Sequence, residues 1–202
     1  SDCDCSPGTP YSSCENGAWT APCTWDCRLN SNQVRCCLVN PCGYPTLSDY
    51  ASVNNVVNCE GGCAAYLVAV NSGGQLLGGD VSAGYVLAVY GDAQVSTATA
   101  AQVIVASGGV LHVDGECAAD MVVVAGSLIA GSVSAAQQLD VAGGVAEVPN
   151  VVADQVSANL GGTLDAAGGI ITASYVSAIL GGTIHHASSL NSETVVVGDN
   201  SD

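Results

Sequence analysis

Glu147, Asp165 and His185 follow one another at intervals of 18 and 20 residues, and two carboxylates beside an imidazole are the parts of an acid/base pair or a metal site. Such spacing brings them together only if the chain coils with a matching period. The row lying four positions past a recurrent glycine reads Leu77, Val95, His112, Ala130, Glu147, Asp165 and His185. On stacked coils its members would sit about 4.8 Å apart on an outward face, with His186 pointing inward. The row is read as a solvated face on which His185 offsets two carboxylates, so no catalytic residue, cofactor or metal is assigned to it.

Cysteine is the other chemistry-bearing type. Ten of eleven fall early, at Cys3, Cys5, Cys14, Cys23, Cys27, Cys36, Cys37, Cys42, Cys59 and Cys63. The stretch around them is rich in Pro, Asn, Ser and Gly and nearly free of periodicity, as in a module built on disulfides. Cys23-x-x-x-Cys27 and Cys59-x-x-x-Cys63 offer thiolate pairs for zinc, but Cys3-x-Cys5 and the adjacent Cys36-Cys37 fit no common zinc spacing. Cys117 stands apart and leaves an odd number, which makes it a candidate for a disulfide between chains or a buried free thiol. Trp19 and Trp25 are read as the packing centre of the small module, with sugar binding as the alternative.

The elements that must position these groups are announced by glycine. A glycine corner returns at Gly73, Gly91, Gly108, Gly126, Gly143, Gly161, Gly181 and Gly198. Before each corner runs a β-branched stretch such as Tyr85-Val86-Leu87-Ala88-Val89 or Val122-Val123-Val124; after it comes a short alternating strand such as Val110-Leu111-His112-Val113. Units of this length cannot bury an apolar face alone and therefore stack. The expected fold is all-β: a parallel β-solenoid of about 18 residues per coil and about seven coils over residues 64–202, preceded by a disulfide-rich module or cap at 1–63. Alternation already begins near residues 47–57, so the two parts are expected to share one stack. Small inward side chains account for the absence of Phe, and the outward Leu77, Val95, Val110, Leu128 and Val145 are expected to form a lateral apolar patch.

Composition narrows the function classes. The chain holds 202 residues with a net charge of −16, 18 acids against two bases, and 10% charged residues. Both bases, Arg28 and Arg35, precede residue 64, so the coils carry no cationic side chain except histidine. Nucleic acid is excluded as a partner, and so is an active site for anionic polysaccharide, which needs Arg or Lys. Scattered Asp positions do not give the fixed offset of a calcium-binding β-roll, and the longest apolar run is too short for a membrane span. The chain opens on Ser1 with neither an initiator Met nor a basic apolar leader, which points to a secreted, processed protein at or outside the cell surface.

Asn71-Ser72-Gly73-Gly74-Gln75-Leu76 and Ala106-Ser107-Gly108-Gly109-Val110-Leu111-His112-Val113 resemble the Ser-Gly-Gly-x-Leu-x-Val core of repeats in self-associating autotransporter adhesins of Gram-negative bacteria. The likeness covers roughly residues 64–199 and implies a right-handed β-solenoid passenger exposed at the cell surface. It does not extend to the cysteine-rich start or to a membrane barrel. In whole-chain character the protein also resembles disulfide-linked, amyloid-like sheath proteins of filamentous methanogenic archaea. The expected function is an extracellular structural protein, not an enzyme, whose subunits assemble end to end and laterally into a filament, sheath or surface layer stabilised by disulfides. A surface adhesin or glycan-binding module is the alternative, with glycans as its partner.

Overall fold

The structure, a computed structural model, describes residues 50–59 and 62–198 and the backbone of residues 14–15 and 18–19. Cys14–Glu15 and Ala18–Trp19 pair as a short antiparallel hairpin. The other described strands form one parallel β-solenoid of about eight turns, one more than expected, with about 18 residues per coil and no helix.

Each coil contributes three paired runs, so the stack has three faces. Residues 98–100 of Ala98–Val105 belong to the first face and residues 102–105 to the second, and Val110–Val113 begin the third. One coil later the same faces take residues 117–119, 121–124 and 127–130. The corner between the first two faces carries no recurrent glycine and is therefore absent from the sequence-level reading of two strands per coil. It falls after a run of alanines: Ala65 pairs with Ala83, and Ala100, Ala119, Ala135, Ala153 and Ala173 stack in register, and the pairing skips the residue or two that follow. A methyl group is all the tight inside of that corner holds.

Period two then decides what is buried. Val81, Ala98, Cys117, Val133, Val151 and Ile171 form the inward column of the first face; Val68, Leu87, Val103, Val122, Leu139, Val156 and Val176 line the second. Leu76, Ala93, Leu111, Leu128, Ala146 and Leu164 fill the third. These columns meet in a single core of Val, Leu, Ala and Ile.

Glycine does two different jobs at the second-to-third corner. Gly73 and Gly108 take φ of 79° and 81° with open space where a Cβ would stand, a left-handed turn that other residues enter at a cost. Gly74 and Gly109 follow them and lie under the preceding coil, where a Cβ would come 2.2 Å from the carbonyl oxygens of Val53 and Val89. Gly91 and Gly126 belong with this second set, because their two-residue corners omit the left-handed glycine: a Cβ there would meet a carbonyl at 2.3 Å. The sequence rhythm thus mixes two positions; the stacked column is Gly74, Gly91, Gly109, Gly126, Gly144, Gly162 and Gly182. Gly198 lies at a third position, against Ile179.

The stack reaches back before residue 63. Tyr50–Val53 pairs with Leu67–Val70 and Val56–Cys59 pairs with Gln75–Gly78, so the stack already includes residues 50–59. Of the ten early cysteines, Cys63 is buried and disulfide-bonded; Cys14 and Cys59 are described in backbone only, and the other seven, with Trp25, lie outside the described residues.

Candidate functional site

The third face presents its outward row through the strands Val110–Val113, Ser127–Ala130, Val145–Glu147, Thr163–Asp165 and Thr183–His185. Glu147, Asp165 and His185 are stacked in register as the spacing required. The remainder of the row differs from expectation. Leu77, Gln94, His112 and Ile129 precede Glu147 on the outward side, whereas Val95 and Ala130 are buried in the core. The cause is the two kinds of corner: counting from Gly91 and Gly126 as though they were the left-handed glycine shifts the register by one residue, which reverses the side of the sheet.

The expected lateral patch fails for the same reason. Val95 and Leu128 point inward, and the exposed Val110 and Val145 are separated by Ser127 in their column.

Asp165 is the best-held acid of the row. Its carboxylate accepts the backbone N–H of Ala167 at 2.8 Å and faces His186 Nδ1 at 3.1 Å. The Ala167 bond first, and the His186 contact second, hold its pKa below the usual aspartate range. His186 was expected inward; instead a left-handed backbone (φ 53°) turns it out to pair with Asp165. His112 lies 3.5 Å from Asp114, both exposed. The carboxylates of Glu147 and Asp165 sit side by side on an outer row, and among the described residues no group of three or more His, Cys, Asp or Glu is placed to hold a metal.

Other acids are tied into the ladder by contacts that the spacing alone did not reveal. Ser157 Oγ donates to Asp140 at 2.5 Å and Asn159 Nδ2 donates to the same oxygen at 2.6 Å. Asn71, at the equivalent corner position, donates to Ser52 Oγ and Asn54 Oδ1 at 2.8 Å each. Thr97 Oγ1 donates to Asp80 at 2.7 Å. The readable signal is an Asn opening a four-residue corner and a polar residue 19 positions earlier.

Cys117 is a member of the first-face core column, 0% exposed, and burial, with Glu116 beside it, pushes its thiol up to about 12. Among the described residues it is a free, buried thiol, the second of its two expected states.

Two surfaces remain. At the last coil, Leu190, Val195 and Val197 occupy the inward columns yet stand 42%, 51% and 60% exposed; one coil earlier their partners Ile171, Val176 and Ala178 are buried. On the long side, Tyr66 and Tyr85 stack at the first-to-second corner with ring centroids 5.6 Å apart and planes 11° apart. No family model, curated protein or solved structure matches the chain.

Proposed function

We propose that the protein is an extracellular structural subunit whose coils continue from one molecule into the next, building a filament, sheath or surface layer held by disulfides. The observation that carries this reading is the exposed last described coil. Among the described residues Ser189–Val197 pairs only with Ile170–Ala178, and its other side offers a row of backbone groups and apolar side chains already in solenoid geometry. An open edge of this kind recruits another strand. In the first described coil, at residues 50–59, the corresponding inward pair Ala51 and Val53 is fully buried, so the exposed apolar edge is that of the last described coil.

The disulfide-bonded Cys63 supports an oxidising, extracellular setting. The reading gives the chain no enzymatic role. A second reading, surface adhesion through glycans, is favoured by the exposed Tyr66–Tyr85 stack, since sugar rings pack on aromatic faces.

Electron microscopy of the purified chain, with Val195→Asp and Val197→Asp as comparisons, separates the two. Fibres or hoops from the parent, shortened or abolished in both variants, support assembly; discrete particles from the parent in every buffer, with glycan binding retained, overturn it.

A further inference from the structure

We propose that the outer surface of the second face is a lateral contact with a second copy of this chain, in which two solenoids lie antiparallel about a two-fold axis along the strands.

Charge selects the face. Residues 64–202 hold twelve acids and no Lys or Arg, so most surfaces repel a copy of themselves. From Leu67 to Ala125 the outward positions of the second face hold no carboxylate; Asp120 stands at the adjoining corner. Tyrosine, a residue favoured at interface centres, collects around it. Among residues 62–198 all four tyrosines border or lie on this face, and Tyr66, Tyr85 and Tyr90 are 39%, 45% and 49% exposed.

Shape selects the partner. The central outward column reads Ala69, Ala88, Ile104, Val123 on four successive coils, two small side chains recessed to 5% and 8% exposure followed by two large, half-buried ones. A two-fold axis running along the strands between Ala88 and Ile104 reverses the stack of the second copy and keeps the columns aligned. Ala88 then meets the other copy's Ile104 and Ala69 meets its Val123, so each bulge enters a hollow. The same operation sets Tyr85 opposite Ala101 and Tyr90 opposite Ala106. Asp120 meets the Tyr66 hydroxyl, a donor, and no two carboxylates face each other.

Four coils of about 4.8 Å and strands near 3.3 Å per residue give roughly 400 Å² a side, about half of a standard interface. One such contact is weak. Repeated along a fibre it becomes strong through avidity, and in that respect it rests on the end-to-end assembly proposed above.

The test uses the full chain in two variants, Ala88→Asp and Ile104→Lys, with thermal melts to show that both fold. Each alone buries an unpaired charge at the contact, and each should weaken lateral association at least tenfold in sedimentation velocity and leave single fibres in micrographs. An equimolar mixture sets the introduced carboxylate against the introduced amine and should recover most of that loss. Ala69→Asp mixed with Val123→Lys provides an independent pair should either first variant fail to fold. Variants that associate like the parent, a mixture no tighter than its components, or a Tyr66–Tyr85 surface that binds glycan while parent fibres stay single would overturn the contact. Fibres that lengthen without pairing refute this inference alone; rods that pair without lengthening refute the end-to-end reading alone.

Discussion

A carbonyl oxygen 2.2 Å from an absent methyl group explains why Gly109 is glycine. Gly109→Ala forces backbone of neighbouring coils apart and should cost at least ~1–3 kcal/mol, whereas Gly108→Ala meets open space and pays only for its left-handed φ, about 1–2 kcal/mol. Denaturant midpoints should rank Gly109→Ala as the more damaging, and the opposite order would show that coil separation is not set by that contact. Cys117 should resist maleimide in the folded protein and react only on unfolding, and Cys117→Ala should leave any assembly intact; rapid labelling of the native chain would contradict its burial. At Asp165 the folded-state pKa is depressed, so its stabilising effect is present above the ordinary aspartate range and lost as pH falls through the folded value. The stability difference between the parent and Asp165→Asn should therefore narrow as pH drops below about 4; a difference that persists unchanged would remove the Ala167 and His186 bonds as its source.

Strand order follows from alternation, and alternation was legible where a corner was marked. The β-branched runs and the Gly-Gly pairs reveal stacking, coil length and the neighbourhood of Glu147, Asp165 and His185. They do not reveal the corner after the alanine column, because Ala is compatible with straight and bent strands alike. Nor does a single glycine say which of two corner positions it fills, so the spacing puts Val95 and Ala130 outside where the fold has Gln94 and Ile129. The distinction is measurable. Val95→Asp puts a charge in the core and should prevent folding or cost several kcal/mol, while Gln94→Asp, one residue earlier and outward, should stay within ~0.5 kcal/mol of the parent, read by circular dichroism during thermal unfolding. Within the core, Leu111→Ala should cost about 2–5 kcal/mol. The exposure of the last described coil is a different matter: nothing in Leu190-Asn191-Ser192 or Thr194-Val195-Val196-Val197 distinguishes a buried coil from an exposed one, and only the fold shows that Leu190, Val195 and Val197 stand exposed there.

For the whole molecule, apolar stacking and single-sign charge oppose each other. A net −16 on a 202-residue chain repels other copies over about 30 Å at 0.01 M salt but only about 8 Å at 0.15 M, so the concentration at which assembly begins should fall as salt is raised, as followed by light scattering. Assembly that weakens with salt would mean that charge pairs, not coil stacking, join the subunits. If subunits join end to end, the strands of every subunit lie across the fibre axis and the coil spacing runs along it. Diffraction from aligned fibres of the full chain should therefore give a sharp reflection near 4.8 Å on the meridian. The same reflection on the equator, or a protein that yields no fibres at all, would contradict a stack that continues from molecule to molecule.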